Sequence, residues 1–464
     1  MRTRKNIKKI YLRPRKNRLF TYRRILKKSK SKTRSKSKTP SKSKTRSKSA
    51  MRAFAGKAFA EGGFGCVFRP QLSCSKSVDL SIKKHNDGVS KLMNKKNQQI
   101  ELKELATVQS IVKKIKNYED YFLLNNIYGC TPDALTKNDK VDFNQKCKNL
   151  MKKGIHKDNV NKKLNSLGII NLPYGGISID NYYFRLNLLS KSKNRKSSFA
   201  ATNKALLLLL TNGIQLLQKN KFLHMDIKGA NILRSEDNIL KHNNIKTRLI
   251  DWGLSINYAS SAHTGKAPRE LYNGPIQYNT PFSTILFQKD MNTNIKKFLS
   301  QYSSLDKRLN SNDRYQIMKY LASYIYNISL DVVGEGHNNY ILSILHEINA
   351  GQTKNQDQSV TVFSREDIIV EYLATILNKY IDHKYHFHDG KYFHEVYSKN
   401  VDVWGFIMAY LDLVDLKKPY SMRSDLSIAV AKIINEYCFS STYAINPIPI
   451  NKLVVDFKRL NDLA

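Results

Sequence analysis

Apolar positions recur along this 464-residue chain in two rhythms, and residues 1–52 follow neither. Short apolar runs bounded by glycine or polar turns fall at Val89–Met93, Tyr121–Leu124, Leu167–Leu172 and Thr247–Ile250, the pattern of buried strands. Between the first two, Gln99–Ile115 carries Ile100, Leu105, Val108 and Ile111 at helical spacing, which predicts a helix. Ala205–Gln218, with its leucine run, reads as a buried helix, and Val401–Ile407 as another. The basic, polar stretch Thr136–Ser166 reads as an insertion or loop. Strands early and helices late predict an α+β fold.

Composition sharpens the contrast at the N-terminus. Residues 1–52 hold 23 of the 79 Lys and Arg residues and no Asp or Glu, leaving +19 of the +42 net charge to the remainder. Ser29–Ser37 recurs as Ser41–Ser49, and this Lys/Ser/Arg repeat has no apolar face to bury. A disordered basic tail is therefore expected. Such a tail suits nucleic acid or another acidic partner, and without aromatic residues in the repeat the binding would be blind to sequence. Its hydroxyls, Thr39 before Pro40 in particular, are candidate phosphorylation sites. The cysteines (Cys66, Cys74, Cys130, Cys147 and Cys438) are odd in number and lack metal-ligand spacing. That predicts an intracellular reducing compartment with no disulfide framework. No apolar run is long enough to span a bilayer, and the basic start lacks the apolar core of a secretory signal, so no membrane partner is expected.

The chemistry gathers in Phe222–Leu233 and Leu249–Gly253. Asp226, Lys228 and Asn231 give a base, a cation beside it and a metal-binding amide within one turn, and Asp251 adds a second metal ligand. Phosphoryl transfer needs those groups: one takes a hydroxyl proton while the others place phosphate and Mg2+. Upstream, Ala60–Phe68 contains Gly62, Gly63, Phe64, Gly65 and Val67, a hairpin able to lie against phosphates because glycine adds no Cβ. Two lysines compete for the phosphates. Lys91 sits in an apolar strand, whereas Lys83 runs at once into the polar turn His85–Gly88; Lys91 is favoured. Of the helix carboxylates Glu101 and Glu104, Glu104 is the better match to hold that lysine. Leu172 and Tyr174 flank Pro173, which removes one backbone donor there. The histidines between His383 and His394 read as a solvated polar-aromatic loop rather than a zinc site.

In order, these motifs resemble those of eukaryotic-type serine/threonine protein kinases. Gly62–Pro70 with Cys74, Val89–Met93, Leu172–Gly176 and Tyr278–Ser283 are similar to the corresponding stretches in the Ser/Thr kinases of giant, large-genome DNA viruses. That group carries its lysine in the same Val-Ser-Lys setting, which supports Lys91. The resemblance implies a bilobal kinase-like fold: a β-rich N-lobe over 53–172, inserted near 136–166, and a helical C-lobe over 173–464, inserted near 292–394. It also implies ATP with Mg2+ (Mn2+ as a substitute), its adenine met by backbone groups near Leu172 and Tyr174, and Ser/Thr acceptors on protein substrates. A monomer is expected, in host cytoplasm or nucleus or packaged in a virion. Asp402 would brace the catalytic loop from a buried helix. Ala60, Met225 and Trp252 depart from the family pattern, as does the lack of a clean Ala-Pro-Glu, for which Ala267–Glu270 and Asn279–Ser283 compete. The rival readings are a pseudokinase scaffold that binds through its tail and a small-molecule kinase of the aminoglycoside type.

Overall fold

The computed structural model describes residues 57–61, 65–75, 88–189, 193–302, 311–333, 335–349, 365–414, 416 and 423–464. The expectations for the tail, Gly62, Gly63, Phe64 and Lys83 lie outside the described residues. The fold is α+β, an antiparallel five-stranded sheet followed by a largely helical region. The sheet runs in the order β1 (Lys57–Glu61), β2 (Gly65–Arg69), β3 (Gly88–Asn94), β5 (Leu167–Pro173) and β4 (Tyr128–Cys130). Lys91 pairs with Val67 on one side and Ile170 on the other, so it stands mid-sheet. Gly65 is required by sterics: a Cβ there would lie 1.9 Å from the Leu92 carbonyl oxygen.

After β3 the chain turns directly into helix α1 (Lys95–Val112), where the Asn94 side chain caps the Lys96 N–H at 2.9 Å. Val108 and Val112 on α1 are buried in the larger core, while Ile100 faces solvent. Gln98 is buried as well, and its amide reaches the Ile169 and Cys130 carbonyls at 2.7 and 3.0 Å, fixing the helix to β4 and β5. Tyr121–Leu124 does not form the expected strand. It makes one bridge, Phe122 to Leu249, and the independent fourth strand is Tyr128–Cys130.

The stretch read as a loop, Thr136–Ser166, folds into short helical turns with a core of its own. Phe143, Leu150 and Val160 are fully buried there against Phe68 and Leu167 of the sheet. Each such burial contributes roughly 1.5–3 kcal/mol. Polar residues dominate this stretch, but Phe143, Cys147, Leu150, Ile155 and Val160 are buried, while Val141 stays exposed.

The cysteine expectation is overturned. Cys66 on β2 is bonded to Cys147 in the insertion, and Cys74 is bonded to Cys130 at the end of β4; among the described residues only Cys438 is free. Two disulfides suggest an oxidising compartment, extracellular or secretory, in place of the reducing intracellular one. Their partners lie 81 and 56 residues apart, so no local spacing announced them.

The helical region begins with β6 (Ile177–Ser178), which joins β8 (Ile232–Arg234) and β9 (Thr247–Leu249) in a small sheet. β7 (Phe222–Leu223) pairs with β10 (Ile256–Asn257). The helix Lys193–Leu208 continues through a π-helical turn, Leu209–Ile214, into Gln215–Lys219. Beyond it, Met291–Leu299, Ser311–Val333, Glu335–Asn349 and Arg365–Tyr380 form the helical insertions. Arg365–Tyr380 packs along Ser311–Val333 and sets Tyr372 against Trp404 of Ser398–Met408, a helix whose residues are nearly all buried. Among the described residues no helix is long and apolar enough to cross a membrane.

Candidate active site

The turn after β7 is built from below. Asp402, 1% exposed on the helix Ser398–Met408, accepts the His224 and Met225 N–H groups at 2.8 and 2.9 Å. Burial pushes its carboxyl up, while His224 and those two N–H bonds pull it down. This support holds Met225 at φ 65°, where a side chain is rarely tolerated. His224 is fully buried, with Nε2 3.1 Å from the Ile250 carbonyl oxygen and its ring 4.6 Å from that of Trp252. Two of the departures from the expected pattern, Met225 and Trp252, thus fill core space. Gly405 permits the packing, since a Cβ there would sit 2.5 Å from the Ile227 carbonyl oxygen.

Asp226 is held from three directions. Lys228 Nζ lies 2.8 and 2.9 Å from its two carboxylate oxygens. Asn231 Nδ2 donates to Oδ2 at 2.9 Å and also to the Asp226 carbonyl at 2.9 Å. Asn279 Nδ2 donates to Oδ1 at 3.0 Å and to the Ile227 carbonyl at 3.2 Å. Asn279 was named in the sequence only as part of Asn279–Ser283, without a role. It is 1% exposed, and its Oδ1 has no protein partner. Of the two stretches that compete for the Ala-Pro-Glu position, Asn279–Ser283 is the one seated against Asp226. Trp404 secures it by donating from Nε1 to the Tyr278 carbonyl at 3.2 Å.

A cleft of about 630 Å³ opens between the five-stranded sheet and this turn. Val67, Lys91, Glu104, Leu172, Tyr174, Asn231 and Asp251, predicted from sequence, all line it. Asp226 and Lys228 stand behind Asn231, off the wall itself. On the sheet side, Lys91 Nζ is paired with Glu101, at 2.6 and 2.8 Å from its oxygens. Glu104, expected to hold the lysine, does not do so. It lines the cleft nearby, where burial first and Glu101 second raise its carboxyl, Lys91 opposes them, and Asp251 adds to the rise. The two glutamates are one helical turn apart and share a face. Only the seating of α1 on the sheet selects Glu101.

Asp251 is also at positive φ, 66°, and Ile250 N–H donates to the Asn231 carbonyl at 3.0 Å, so the two residues are presented together. Asn231 commits its Nδ2 to Asp226 and leaves its amide oxygen, while Asp251 supplies a carboxylate. Two oxygen donors fit a hard divalent cation that completes its shell with water and phosphate. Among the described residues no group of three or more His, Cys, Asp and Glu side chains forms a metal cage. In the histidine stretch, His388 Nε2 lies 3.2 Å from Asp382, and His394 Nε2 lies 3.2 Å from the Lys266 carbonyl oxygen. No protein-family model matches the chain, and no curated protein matches it.

Proposed function

We propose that this chain is a protein kinase that transfers the γ-phosphate of ATP to serine or threonine hydroxyls of proteins. The carrying observation is the three-sided hold on Asp226 directly behind Asn231 and Asp251, facing the Lys91–Glu101 pair across one cleft. In this reading Lys91 grips phosphate oxygens and Glu101 keeps its ammonium aimed inward. Asn231 and Asp251 would hold Mg2+, which when bound neutralises charge on the phosphates. Asp226 accepts the acceptor hydroxyl's proton, and Lys228 stands ready for the phosphate charge on the acceptor side. Asn279 and Asn231 fix the carboxylate's orientation by filling lone pairs that would otherwise turn toward water.

The test is γ-phosphate transfer from Mg-ATP to a mixed basic-protein substrate, comparing wild type with Asp226→Asn. Transfer onto Ser and Thr should fall about 10²–10⁴-fold in the variant, the scale of a lost general base. Equal background from both proteins would sink the enzyme reading. Transfer to sugars or alcohols but not to protein would replace it with a small-molecule kinase.

A further inference from the structure

Three side chains from three separate elements meet around Tyr174, which lines the cleft. Arg69 ends β2, Tyr174 follows β5 in the crossing from the sheet to the helical region, and Asp237 lies in the loop between β8 and β9. The Arg69 guanidinium stacks 3.3 Å from the centre of the Tyr174 ring. Its NH1 is 3.2 Å from Asp237 Oδ2, and the Tyr174 hydroxyl donates to Asp237 Oδ1 at 2.7 Å. The three contacts close a triangle, so none can open without disturbing the other two.

Both ends of the triangle are anchored. On the sheet side, Gln71 Nε2 donates to the Leu172 carbonyl at 3.3 Å, tying the chain just after β2 to the same crossing. On the helical side, Arg234 is fully buried and spends its guanidinium on the Asp237 loop. It donates to the Glu236 and Asn238 carbonyls at 2.6 and 3.2 Å, to the Lys241 carbonyl, and to Thr202 Oγ1 at 3.0 Å. A buried arginine spent on loop carbonyls makes that loop a rigid platform. An exposed ion pair by itself contributes little, about 0–1 kcal/mol. Arg69 and Asp237 are partly exposed, at 32% and 44% of their side chains. Sharing a stacked ring and a charge-assisted hydrogen bond lifts the triangle above that level.

We infer that Arg69, Tyr174 and Asp237 form a latch across the crossing and set how far the sheet can swing from the helical region. They are positioning residues that act on the cleft through Tyr174, which lines it. The consequence for nucleotide retention rests on the ATP reading above; the latch itself does not. The opening of the cleft is then governed around Tyr174 rather than at Asp226.

Hydrogen exchange of the ligand-free full chain tests the latch directly, because it needs no nucleotide. Arg69→Ala and Asp237→Asn should each speed exchange of the backbone amides at 172 and 174–178 about tenfold, the scale of a lost hydrogen bond to a charged group. The double variant should add little, since both substitutions break one triangle. Exchange in the helix Ser398–Met408 should stay at the wild-type rate, which separates latch opening from general unfolding. Tyr174→Phe keeps the ring and should give a smaller increase. In transfer assays, Arg69→Ala should raise KM for ATP about 3–10-fold while kcat stays within about twofold, the split expected when ground-state and transition-state binding fall together. Unchanged exchange at the crossing in both single variants, or fully additive effects in the double, would overturn the latch. Faster exchange with no ATP binding by any of the proteins would uphold the latch and remove the nucleotide reading instead.

Discussion

Residues 57–173 and residues 174–464 are held together differently. The first region has a modest core around Phe68, Phe143 and Ile169, and both disulfides lie inside it. The second is built around a larger continuous core that runs to Leu460 and also takes in Val108, Val112, Ile115, Phe122 and Leu124 of the first; its one described cysteine, Cys438, is buried and unbridged. A small unit buries too little apolar surface to offset its chain entropy, so covalent links that restrict the unfolded chain matter more there. The large unit depends on burial and on polar groups satisfied deep inside it. The first region is stapled, and the second is packed.

Breaking the packed region at its polar centre should have the largest effect. Asp402→Ala strands two buried N–H groups, at His224 and Met225, and should cost about 2–5 kcal/mol. Urea unfolding followed by tryptophan fluorescence reads this cleanly, because both tryptophans, Trp252 and Trp404, belong to that region. Reduction of the disulfides should act on the other region alone, at roughly 2–4 kcal/mol for each bridge. Hydrogen exchange should then rise in β1, β2 and β4 while the tryptophan signal stays native. Loss of the tryptophan signal on reduction would show that the two regions are not separable in this way.

The third comparison crosses the cleft. Glu101→Gln removes the partner of Lys91 and should lower kcat/KM for ATP-dependent transfer by roughly tenfold or more, the scale of a charge-assisted hydrogen bond. Glu104→Gln should change it less than about threefold. A reversed order in steady-state kinetics would mean that the pairing switches to Glu104 during turnover. The smallest effect is a pH dependence in the helical region. Partial burial first, and the Asp180 carboxylate second, push Asp412 up to about 6 from its ordinary 3.8. Its folded pKa is the higher one, so its contribution to stability is complete below pH 3.8 and fades as pH rises through about 6. Asp412 keeps an open solvent face, and screening keeps the effect modest. Thermal melts from pH 4 to 7 should show this decline in wild type and lack it in Asp412→Asn.

Much of the candidate site was legible because its parts are close together in the chain. Asp226, Lys228 and Asn231 occupy a single turn, and the contacts among them are local consequences of that turn. Lys91 was legible from the apolar residues around it, which only a central strand accommodates. The role of Asn279 is not legible in the sequence, because nothing near it points to Asp226, 53 residues earlier. The polar composition of 136–166 hid a small core, since a handful of buried residues is enough to order a stretch stapled to a sheet.

The chain's own pattern therefore determined the strands β3, β5 and β9, the helices α1 and Ser398–Met408, the turn Asp226–Asn231 and the strand lysine. Each is specified by residues within about one turn or one strand of each other, where periodicity and backbone preference act. Tertiary structure alone decided which cysteines pair, which of two glutamates on one helical face reaches Lys91, and which distant side chains close the latch. In each case the sequence offers chemically equivalent partners, and the choice is made by distances that exist only after the sheet, its insertion and the helical region have packed together.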